Sequence, residues 1–163
     1  MRSWRALATE AILSGSLASL FSGAALALSG WREGAGAFAP LNAPSQWLWG
    51  PAEALAADGP SPRHTLAGYA VHHVASTFWS TLHAIAFARR RGLDRPLPAL
   101  AAATATTAVA ALVDLKMCPE RFTPGFQHRI SRPALFATYA CFALGLAAGG
   151  LLARRRRATC RPS

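Results

Sequence analysis

Between positions 69 and 83 the chain gathers side chains that can ligate metals, pass protons or exchange hydrogen bonds: Tyr69, His72, His73, Ser76, Thr77, Trp79, Ser80 and His83. At 3.6 residues per helical turn, His72, Ser76, Trp79 and His83 fall on one stripe, with His73, Thr77 and Ser80 beside it. Three roles suit such a stripe. Neutral imidazole is a common ligand for haem and transition metals. However, His72 and His83 would stand about 16 Å apart along a helix, and His72 and His73 would point about 100° apart. No other apolar stretch supplies a second axial histidine. A bis-His cofactor protein therefore ranks third, and no cofactor or metal is expected. A stepped His–Ser–His line could also pass protons or a small solute. The simplest role is preferred: neutral histidines and hydroxyls satisfied by hydrogen bonds between helices.

A second group of chemically capable residues is Trp47, Trp49, Asp114 and Arg121. Asp114 would end a helix at the same level as His72 and His73, where a carboxylate can orient an imidazole. Arg121 is close in sequence, so a loop ion pair between Asp114 and Arg121 is the preferred expectation. Hydrolytic chemistry has no support, because neither a GxSxG nor an HExxH motif occurs, and no phosphate-binding glycine loop is present. The three cysteines, Cys118, Cys141 and Cys160, lack CxxC or zinc-finger spacing, which argues against thiolate metal ligation. An enzyme is not expected.

The elements that must position these groups are four apolar stretches, roughly residues 6–29, 65–88, 97–115 and 133–153. Each is close to the roughly 20 residues needed to cross a bilayer. With alternating spans, Arg2, Arg5, Arg89–Arg91, Arg95, Arg154–Arg157 and Arg161 all fall on one side. That side holds eleven basic and two acidic residues, net +9; the other holds six against five, net +1. The positive-inside rule then assigns both termini to the cytoplasm of a multi-pass inner-membrane protein. Cleavage of the first stretch as a secretory signal is the weaker reading, since Glu10 interrupts it and its loss would split the arginine groups across the membrane. The one-sided charge implies contact with the lipid bilayer, and with anionic headgroups at the basic tail, residues 154–163. No nucleic-acid partner is expected, because no basic patch is interleaved with aromatic residues.

Small residues repeat every four positions at Gly15, Ser19 and Gly23, and again at Gly145 and Gly149. Such faces let helix backbones approach closely where water cannot drive association. They are read as contacts within the bundle, with a homo-oligomer seam or another membrane protein as the alternative partner. Glu10, just inside one boundary, is expected to reach Arg5 or the Arg89–Arg91 group. The short connection from Arg89 to Pro96 implies that the second and third spans lie in contact. The connection from Gly30 to His64 carries five prolines and the Trp47-Leu48-Trp49 run. It is read as an interfacial anchor lying on the bundle, with a short helix after Pro51, and with a lid over an outward-facing cavity as the sharper alternative.

At Trp47-Leu48-Trp49-Gly50, His72-His73-Val74-Ala75-Ser76-Thr77-Phe78-Trp79 and Arg121-Phe122-Thr123-Pro124-Gly125-Phe126, the chain resembles a group of short, uncharacterised bacterial integral membrane proteins. The resemblance implies a bacterial inner-membrane four-helix protein and carries no assigned reaction. The expectation is therefore an all-α, integral-membrane four-helix bundle, residues 1–163 as one domain, with two irregular outer loops. Its expected role is structural, interaction or envelope-accessory. A small transporter or proton conductor is the alternative.

Overall fold

Residues 4–32 are rich in Ala, Leu, Ser and Gly without a proline, and they form one uninterrupted helix, α1 (Trp4–Arg32), whose start is capped by Ser3. This computed structural model describes residues 3–88 and 90–159. Arg2, Arg89 and Arg161 of the charge argument above, and Cys160, lie outside the described residues. Prolines break the chain after α1 into short pieces: α2 (Ala39–Asn42), α3 (Gln46–Trp49) and α4 (Pro51–Leu55). A π-helical turn at Pro62–Leu66 leads into α5 (Ala67–Ala86), and another at Val113–Met117 extends α6 (Pro96–Leu112). The last helix, α7 (Arg132–Thr159), runs on through Arg154–Arg157, so most of the basic tail is helical. No strand occurs among the described residues.

Three of these helices are long and apolar enough to cross a membrane: α1, α6 with its π turn, and α7. They correspond to the first, third and fourth expected stretches. The second stretch forms a helix of 20 residues, α5, but His72, His73 and His83 dilute its hydropathy.

α1 is the centre of the assembly, packed along both α7 and α5, while α6 leans on α7. The small-residue faces explain this order. A Cβ added at Gly149 would stand 2.4 Å from the Ser14 Cα, and one at Gly145 2.4 Å from the Leu17 carbonyl oxygen. On the other side of α1, Gly15 meets Thr77 and Gly23 meets the Tyr69 ring. Both glycine faces are therefore consumed inside the chain. The expected contact between the second and third spans is corrected: α5 and α6 touch only sparsely despite their short connection. A short loop brings helix ends together, but close packing requires small facing residues. α5 presents Phe78 and Trp79 there instead, and a cavity separates the two helices.

Candidate functional site

The site is built at the loop end of the molecule, opposite the arginines of α7. Its roof comes from the two proline-rich connections, which fold onto each other around two buried amides. Asn42 donates to the carbonyls of Ala57 (2.8 Å) and Gly59 (2.9 Å) and accepts from the Thr65 hydroxyl (2.7 Å). Gln46 donates to the carbonyls of Thr123 (2.7 Å) and Glu120 (3.1 Å). Buried amides must find partners, so these bonds fix one loop against the other. Gly125, at φ +80°, turns the second loop tightly beneath the first, where a Cβ would meet the Ala43 carbonyl oxygen at 2.8 Å. Glu33 ties the end of α1 to the start of α7 by accepting from the Ser131 backbone N–H (2.7 Å) and hydroxyl (2.6 Å). Arg129 closes the roof by donating to the Leu55 carbonyl (2.6 Å) and pairing with Asp58.

Under this roof lies a cavity of about 380 Å³, walled by α5 on one side and by α6 and α7 on the other. Pro44 and Trp47 cover it from the first connection, and Phe122 and Pro124 from the second. Trp47 donates its indole N–H to the Thr123 carbonyl (3.1 Å), and its ring meets Phe122 edge-on at 5.7 Å between centroids. Trp47 thus covers the cavity from the first connection. Trp49 sits outside the cavity, donating to the Arg63 carbonyl (3.1 Å) with the Arg63 guanidinium 4.5 Å above its ring.

The polar stripe divides between uses. His72 shares a hydrogen bond with Ser22 of α1 (2.9 Å) and also lines the cavity. His73 reaches Ser19 of the same helix (2.8 Å), and Ser19 lies 3.4 Å from the Tyr69 hydroxyl. Ser80 donates to the Ala11 carbonyl of α1 (2.8 Å). His83 bonds Thr106 of α6 (2.8 Å), one of the few ties across the α5–α6 gap. Ser76 instead returns its hydroxyl to the His72 carbonyl (2.7 Å), a bond within its own helix. The histidines therefore hold helices together by partners on α1 and α6. Among the described residues, no group of three His, Cys, Asp or Glu side chains is arranged to hold a metal ion.

Asp114 lines the same cavity as His72, at the expected end of the third helix, but with partners that neither expectation named. It follows the buried Ala110 by one turn and so shares that residue's inward face. Its carboxylate accepts from the Trp79 indole (3.3 Å) and the Tyr139 hydroxyl (3.5 Å). Arg121 turns outward and donates to the Leu48 carbonyl (3.4 Å), so the expected Asp114–Arg121 ion pair is replaced by two neutral donors. Among the described residues, Asp114 has no ion-pair partner. Cys118 also lines the cavity. Burial, and then the Asp114 carboxylate, push its thiol above the ordinary range, which makes it a poor nucleophile.

At the opposite end, Glu10 is fully buried and is held by Arg154 (2.6 Å) and Arg157 of α7. The expectation named Arg5 or Arg89–Arg91 as its partners, and of these Arg89 lies outside the described residues. The observed ones follow from the α1–α7 seam, which brings residues 144 or more positions apart into register. Asn42, Gln46 and Tyr139 were not singled out from the sequence. The available signal was that Asn42 and Gln46 stand among Pro40, Pro44 and Pro51 of the first connection. No protein-family model, curated protein or solved structure matches the chain.

Proposed function

We propose that this protein is a non-enzymatic, four-span protein of a bacterial inner membrane with both termini cytoplasmic, one of the short integral membrane proteins that it resembles. Its role is structural, interaction or envelope-accessory. The observation that carries the reading is the direction of polarity along α5. His72, His73, Ser80 and His83 turn to neighbouring helices, while Leu82 (41% exposed) and Ile85 (59%) face outward and line no cavity. Polar groups inward and large apolar groups outward suit a helix surrounded by lipid. By that criterion α5 joins the three more apolar helices as a fourth span. The arginines at the end of α7 then lie near the headgroups, where each contributes about 1 kcal/mol of attraction to an anionic surface.

Cysteine-accessibility labelling of a variant without native cysteines tests this topology. A cysteine beside Arg90 should react only after the inner membrane is permeabilised, and one beside Pro124 should react in intact spheroplasts. Labelling beside Arg90 from the periplasmic side would sink the four-span reading.

A second reading, a small transporter or proton conductor, is favoured by one observation. His72 lines the loop-end cavity, and His83 lines a small cleft at the arginine end with Glu10 and Arg154. Between them Ser80 is closed onto the Ala11 carbonyl. Proton flux in liposomes that His72→Leu abolishes would establish this reading over the first.

A further inference from the structure

We propose that the loop-end cavity is a binding site for a lipophilic organic cation, an ammonium or phosphonium centre bearing aromatic or alkyl groups, held by Asp114 and the aromatic rings around it. The volume of about 380 Å³ is within the range of small-molecule pockets. The walls are mostly apolar, and Asp114 is the acidic side chain among the described residues that line them. An ionised carboxylate offers about four acceptor positions. Here the Trp79 and Tyr139 donors are both neutral and both long, at 3.3 and 3.5 Å. A carboxylate withdrawn from water gains most from a positive partner, and among the described residues the chain supplies none.

The surrounding surface selects the kind of cation. Phe78, Trp79, Phe122, Phe126 and Tyr139 place ring faces or edges around the space, as Trp47 does from the first connection. Aromatic faces attract a cation, and more strongly when it is desolvated. A compact, strongly hydrated ion would lose its water to apolar walls without replacement. An organic cation carries its own apolar shell and matches both features at once. Charge complementarity also excludes the opposite ligand. The chain carries a net charge of +10, yet Arg121 and Arg129 at this end are directed to Leu48 and to Leu55 and Asp58. The cavity is thus an acidic point within a basic molecule. An anionic headgroup would meet the Asp114 carboxylate, and a plain hydrocarbon chain would leave it unused.

Binding to full-length protein in dodecylmaltoside tests this without reference to membrane topology, so its outcome is separable from that of the topology experiment. Equilibrium dialysis would compare tetraphenylphosphonium with tetraphenylborate, an ion of the same shape and opposite charge, each corrected for protein-free micelles. The phosphonium is expected to bind at least about ten-fold more tightly than the borate, about 1.4 kcal/mol. Asp114→Asn should remove that preference, Asp114→Glu should keep it, and Ala75→Phe, which fills the space without touching the carboxylate, should weaken phosphonium binding. Equal binding of the two ions by the wild type, as a plain apolar slot or a lipid-chain site would give, overturns the proposal. So does an Asp114→Asn protein that binds the phosphonium as the wild type does. If Asp114→Asn does not fold, the wild-type preference decides alone, because the net charge of the chain by itself favours the anion.

Discussion

The α1–α7 seam and the α5–α6 gap each set one helix beside another and reach opposite results. Along the seam, Gly145 and Gly149 admit the α1 backbone itself, and the buried Ala18 and Leu146 complete a tight core with Phe142. At its arginine end the seam is locked by Glu10 between Arg154 and Arg157. Across the gap, α5 presents Phe78 and Trp79, and α6 presents Ala110, Val113 and Asp114. Large rings hold the helices apart, and only single bonds such as His83–Thr106 and Trp79–Asp114 cross between them. The difference teaches that residue size on the facing stripes, more than loop length, decides which helices close. The closed seam carries stability. The open gap carries the space where a ligand can enter.

The largest expected effect breaks the seam. Gly149→Leu forces a side chain into the Ser14 backbone and should cost about 3 kcal/mol, the upper part of the usual overpacking range. Its counterpart in the gap, Ala75→Phe, should change stability by less than about 1 kcal/mol, since the new ring enters existing space. Unfolding in mixed detergent micelles measures both. Equal costs at the two positions would remove the distinction between seam and gap.

The lock at the arginine end comes next. Glu10→Gln leaves two arginines without their buried carboxylate and should destabilise by about 2 kcal/mol. That is less than the loss of a wholly buried pair, because the Arg157 side chain is 30% exposed and can turn to water. Thermal unfolding in detergent reads the effect, and a loss below about 0.5 kcal/mol would mean that the lock is not part of the seam's stability.

The smallest effect sharpens the role of the histidines. His72→Leu removes the bond to Ser22 and should cost only about 0.6 kcal/mol, the average for hydrogen bonds between membrane helices. A double-mutant cycle with Ser22→Ala isolates that bond. A coupling energy above about 2 kcal/mol would show that His72 organises more of the loop end than one hydrogen bond.

Much of the helical layout was legible in composition, because hydrocarbon-length apolar runs and small-residue periodicity are local properties. α1, α6 and α7 follow from their runs, and the Gly15 and Gly149 faces follow from their four-residue spacing. The inward turn of His72 and His73 was also legible, since a polar stripe on an otherwise apolar helix has one favourable direction. The partners were not. Glu10 with Arg154, Asp114 with Trp79 and Tyr139, and Gln46 with Thr123 join residues 25 to 144 positions apart. Such pairs depend on helix order and axial register, which arise only when small faces choose their neighbours. The cavity is the clearest case. No stretch of sequence encodes an empty volume; it is what remains where bulky residues of α5 keep it from closing on α6.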